Sequence, residues 1–127
     1  MRYAFAAAGL LCATPAFATG GFECRPVSGT GPTLTIGIGH GPSMRPFAVW
    51  IREGKRILST NRAEGEPLMV GQSWIDGQYL WLDLLDANAV RFEAKLRASF
   101  QPKMRGRPAI GALVRNGRTY RVRCIEA

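Results

Sequence analysis

"YLWLDLLDANAVRFEAKL", residues 79 to 96, decides how the rest of the chain is read. As a helix it would begin at Asp86, with Ala89, Phe92, Leu96 and Phe100 at helical spacing and a composition that favours helix. The charges argue otherwise. Arg91, Glu93, Lys95 and Arg97 alternate with Val90, Phe92, Ala94, Leu96 and Ala98. At about 100° per residue a helix would scatter those charges, whereas a strand gathers them on one side. Leu80, Leu82 and Leu84 alternate likewise with Tyr79, Trp81 and Asp83. The stretch therefore reads as a β-hairpin. Pairing Leu85 with Ala89 leaves the loop Asp86-Ala87-Asn88, with Asn88 at the left-handed position. Leu84 then faces Val90, Leu82 faces Phe92 and Leu80 faces Ala94. On the other side Asp83 opposes Arg91 and Tyr79 opposes Lys95.

Working outward, "PTLTIGIGH" sets Leu34, Ile36 and Ile38 on one face, and "FAVWIREGKRIL" reads as two strands turning at Glu53-Gly54-Lys55. "ALVRNGRTYRVRC" turns at Asn116-Gly117, a strong hairpin signal, which pairs Arg115 with Arg118 and Leu113 with Tyr120. "EPLMVGQSW" adds a weak strand. The expected fold is all-β: a small single-domain antiparallel barrel or sandwich of about seven or eight short strands.

Residues 1–18 have the composition of a cleaved signal peptide. Arg2 is a basic start, "YAFAAAGLLCA" is apolar, and Ala16-Phe17-Ala18 is a small-x-small cleavage site. The apolar run is shorter than the roughly 20 residues of a membrane span. Cys12 as a lipid anchor fits poorly, because Leu10-Leu11 precede it. Residues 19–127 are then the single β-rich domain, periplasmic or secreted, with no membrane span. Losing the leader leaves two cysteines, Cys24 and Cys124, near the ends. In an exported chain they are expected to form a disulfide. With one histidine in the chain, a metal site is not expected.

The net charge is +8, or +7 without Arg2. Residues 19–90 carry six basic against seven acidic side chains. Residues 91–123 carry ten basic ones (Arg91, Lys95, Arg97, Lys103, Arg105, Arg107, Arg115, Arg118, Arg121 and Arg123) against Glu93 alone. Arg115 and Arg118 are placed at a turn tip. The other eight are candidates for an anion-binding surface, with Tyr79 and Trp81 as an aromatic platform beside them. Arginine predominates, and its planar fork matches carboxylate and phosphate.

"GIGHGPSM" is glycine-rich but lacks the Gly-Lys-Ser/Thr of a phosphate loop. His40 and Ser43 lack the remaining parts of a nucleophile motif. Trp74 is read as a cap on the core, and Trp50 as exposed or covering a barrel end. No catalytic residue, cofactor or metal is assigned. In length, leader and its "FEC" and "VRC" ends the chain broadly resembles the periplasmic lysozyme inhibitors. It lacks their Ser-Gly-rich loop, and its positive charge would repel cationic enzymes. The expectation is a non-enzymatic module binding an anionic polymer or glycan of the cell envelope. The alternative is an assembly protein docking another envelope protein through sheet edges and Trp50. Oligomeric state is not legible.

Overall fold

The computed structural model describes residues 20–39 and 44–127; the leader with Cys12, and the candidates His40 and Ser43, lie outside the described residues. Ten strands form one sheet: β1 (Gly20–Pro26), β2 (Thr33–Ile38), β3 (Pro46–Glu53), β4 (Arg56–Ser59), β5 (Glu66–Pro67), β6 (Met69–Ile75), β7 (Tyr79–Leu85), β8 (Phe92–Phe100), β9 (Ala109–Arg115) and β10 (Arg118–Glu126). Their order is β5-β4-β3-β2-β1-β10-β9-β8-β7-β6. All neighbours are antiparallel except β4 and β5. β5 and β6 stand at opposite ends of this order, yet Leu68 alone separates them. Its N–H bonds the Ser59 carbonyl at 3.0 Å. The two edges are thus one stretch of chain, and the sheet curls into a nearly closed barrel.

The all-β expectation holds, but there are ten strands rather than seven or eight. "EPLMVGQSW" is two strands, with an irregularity between Val70 and Ser73. β1 completes the number; its glycines and terminal proline give it little strand propensity.

Alternation explains the core. Leu34, Ile36, Val49, Ile51, Leu80, Leu82, Leu84, Leu96, Leu113 and Val122 point inward and are almost wholly buried. Side chains fill the barrel, as in other small barrels. Gly111 allows β8 and β9 to approach: a Cβ there would lie 1.9 Å from the Arg97 carbonyl oxygen. Cys24 pairs directly with Cys124 across β1 and β10, with the sulfurs 2.01 Å apart. Val27 donates to the Arg121 carbonyl at 2.8 Å. Counting rungs from there, the cysteines occupy a non-hydrogen-bonded pair, where side chains approach most closely.

The opening stretch is a hairpin, but its register differs by four residues from the expected one. Leu84 pairs with Ala94, Leu82 with Leu96, Leu80 with Ala98, Asp83 with Lys95 and Tyr79 with Ser99. Asp86 is the cause. Its carboxylate accepts the Val90 and Arg91 N–H groups at 2.8 and 3.1 Å, and its own N–H bonds the Arg91 carbonyl. This widens the loop, puts Ala89 rather than Asn88 at positive φ (54°), and leaves Val90 78% exposed and Phe92 exposed as well. The Asn116-Gly117 hairpin has the expected register, with both turn residues at positive φ.

Arg115 is not at a solvated turn tip. It points into the end of the barrel with 2% of its surface exposed. Its Nε donates to Glu53 at 2.9 Å, and one Nη to the Glu93 carboxylate and carbonyl at 3.1 and 3.0 Å.

Candidate ligand-binding face

Because the interior is packed, the outer surface is where a ligand can reach the protein. Cross-strand pairing sets one row straight across the strands there. Trp74 of β6 pairs with Trp81 of β7, Trp81 with Arg97 of β8, Arg97 with Ala112 of β9, and Ala112 with Arg121 of β10. A second row runs Tyr79, Ser99, Ile110, Arg123 and Arg25. A third contains Asp83, Lys95, Val114 and Thr119.

Arg97 is the hinge of this face and is held from three sides. Its Nη2 lies 2.8 Å from Asp83 Oδ1, its Nη1 donates to the Leu96 carbonyl at 2.8 Å, and its guanidinium lies 5.6 Å from the Trp81 ring centre. Tyr79 packs against Trp81 with ring centres 4.9 Å apart. Two shallow concavities meet at Arg97. One, of about 360 Å³, is lined by Gln72, Ser73, Trp74, Trp81, Asp83 and Arg97. The other, of about 560 Å³, lies over Ala112 between Arg97 and Arg121. The small Ala112 side chain leaves that floor low.

The chain was compared with protein-family models, curated proteins and solved structures, and none matches it.

Of the anion-binding residues read from sequence, Lys95, Arg97, Arg121 and Arg123 share this face with Tyr79 and Trp81. Lys103, Arg105 and Arg107 lie in the β8–β9 loop, at the end of the barrel next to the Tyr79 row. Arg91 is apart, at the opposite end of β8, 3.9 Å from Glu93. Lys95 stands 3.9 Å over the Phe92 ring. Asp83 partners Arg97 in an ion pair, not Arg91.

Trp74 is not a cap on the core: it is 60% exposed. Its indole N–H donates to Asp76 at 2.9 Å, and the same Asp76 carboxylate accepts the Gln78 and Tyr79 N–H groups. Those backbone donors hold the Asp76 carboxyl below its usual range. The sequence does carry a signal for Trp74. A turn signal at Asp76-Gly77 in "WIDGQYLW" puts Trp74 on the same face as Tyr79 and Trp81. The turn itself is centred on Gly77-Gln78, and so sets Trp74 opposite Trp81 rather than Tyr79. Trp50, in contrast, is half-buried, and its indole N–H bonds Glu64. Among the described residues no group of three or more His, Cys, Asp or Glu side chains is placed to hold a metal ion.

Proposed function

We propose that this chain is an exported, non-enzymatic binding module that holds an anionic polymer or glycan of the cell envelope on the outer face of β7–β10. The observation that carries this reading is the row Trp81, Arg97, Ala112 and Arg121, flanked by Lys95 and Arg123. It joins stacking rings to planar cations along one open groove. Four inter-strand steps separate Trp74 from Arg121, about 19 Å at ~4.8 Å per step. That length suits several units of an extended polymer better than a small molecule. Export rests on the leader composition and on a buried cysteine pair of the kind that persists in oxidising compartments.

The test is affinity for a polyanion such as heparin over a range of salt. Arg121→Glu with Arg123→Glu should weaken binding and flatten the log–log salt slope. The expected change is about 0.7–0.9 for each cation–anion pair removed, the value for nucleic-acid phosphates. The control is Arg45→Glu with Arg62→Glu, two exposed arginines in the charge-balanced part. Equal losses in both double variants would mean a response to total charge, and the reading fails.

A further inference from the structure

We infer that the concavity between Trp74 and Trp81 is a pyranose subsite, and that the polymer this face takes is an acidic glycan with carboxylate groups reaching Arg121 and Arg123. This inference rests on the function proposed above and narrows it. The lining is that of a sugar site. Trp74 and Trp81 offer apolar ring faces, and Gln72, Ser73, Asp83 and Arg97 offer planar or hydroxyl groups at their edge. A pyranose has apolar C–H faces and a rim of hydroxyls that both donate and accept. The volume, about 360 Å³, falls in the usual range of ligand sites.

Charge separates a glycan from a nucleic acid. Asp83 neutralises Arg97 at 2.8 Å, so the aromatic end of the groove has no free cation to spare. A nucleotide stacked on the tryptophans would carry its phosphate beside the Asp83 carboxylate. Lys95 of β8 has no carboxylate within salt-bridge distance among the described residues, but it is turned over the Phe92 ring at 3.9 Å, away from the tryptophans. The other unpartnered cations of this face, Arg121 and Arg123, lie two strands beyond Arg97, about 10 Å at ~4.8 Å per step. The matching ligand has an uncharged ring at one end and its acid groups on later units. Ala112, between Arg97 and Arg121, keeps the path over β9 open.

Three probes test this with the mature chain: a galacturonic acid oligomer that carries one neutral hexose unit at its end, its fully methyl-esterified neutral form, and oligothymidylate. Binding of the galacturonate oligomer should quench tryptophan fluorescence. Trp74→Ala should weaken it about tenfold or more, within the range of stacking contacts, without changing its salt slope. Trp81→Ala, checked for an unchanged melting temperature, should do the same. Galacturonate affinity equal to wild type in both variants overturns the subsite, while salt-dependent binding that Arg121→Glu still weakens leaves the broader reading intact. Oligothymidylate binding that depends on Trp74 more than galacturonate binding does also overturns it, in favour of nucleic acid. If the methyl-esterified oligomer binds at Trp74 and no polyanion binds at low salt, the reverse holds: the polyanion reading fails, its acidic-glycan refinement with it.

Discussion

Arg115 of β9 donates through Nε to Glu53 of β3 at 2.9 Å, joining two residues 62 positions apart across the end of the barrel. Glu93 of β8 closes the group on the other side. β3 and β9 are not neighbours in the sheet, so this ion pair ties strands that no backbone ladder connects.

Removing Arg115 would leave two carboxylates facing each other in a partly buried site. Arg115→Ala is expected to destabilise the fold by about 3–5 kcal/mol, the usual cost of breaking a buried pair. Arg115→Met combined with Glu53→Gln and Glu93→Gln should recover much of that loss, because the desolvation of three charges disappears with them. Chemical denaturation of the two variants measures the difference. A loss below about 1 kcal/mol for Arg115→Ala would show that the group is solvated.

The cysteine pair closes a loop of 100 residues between the first and last strands. The chain-entropy account gives about 4.7 kcal/mol for such a loop, an upper figure. Cys24→Ser and Cys124→Ser should each lower stability by about 2–5 kcal/mol and by similar amounts, since each leaves one buried thiol at the same rung. Native protein from an oxidising compartment should show no free thiol until it is denatured and reduced. Two thiols reactive in the native state would rule the bridge out.

Sequence legibility follows locality. The Asn116-Gly117 hairpin is legible in register because two residues determine its turn. The hairpin of residues 79–96 is legible as a hairpin but not in register, because Asp86 bonds N–H groups four and five residues on and no pattern of alternation encodes that. Both registers keep Leu80, Leu82 and Leu84 inward, since a shift of four preserves the phase. The face of the site is therefore legible while its partners are not: alternation points Lys95, Arg97, Tyr79 and Trp81 the right way, but Arg97's place beside Trp81 needs the true pairing. Arg115 escapes a local reading for a related reason. Alternation already puts it on the inward face with Leu113, but the partner that makes burial tolerable, Glu53, is brought from a distant strand by the barrel's closure.

Acid should act on the two turns that carboxylates hold. Backbone N–H groups of Arg91 and Val90 depress the Asp86 carboxyl, and those of Gln78 and Tyr79 depress Asp76. A carboxyl whose folded pKa is lowered contributes stability that is fully present above its unfolded value, about 3.9, and is lost as pH falls through the folded value. Melting temperature should therefore fall as pH drops below about 4. Asp76→Asn with Asp86→Asn should start lower at neutral pH and show a shallower decline, because part of the titrating contribution has been removed. Parallel curves for the variant and wild type would show that other carboxyls govern the acid response.

Gly111 tests the packing and the site together. A Cβ at this position would lie 1.9 Å from the Arg97 carbonyl oxygen and 2.5 Å from the Ala98 Cα. Both are backbone atoms, so no side chain can rotate away and β8 must separate from β9. Gly111→Ala is expected to cost about 1–3 kcal/mol or more, as overpacking usually does. Gly77→Ala is the control: nothing lies within 4 Å of its Cβ. The same separation would move Arg97 relative to Arg121, which sit on either side of Ala112. Polyanion affinity of Gly111→Ala should therefore drop, measured well below its melting point, while Gly77→Ala binds as wild type. Equal stability of the two variants would mean that β8 and β9 do not approach so closely. Lower stability with unchanged affinity would mean that the ligand does not bridge Arg97 and Arg121.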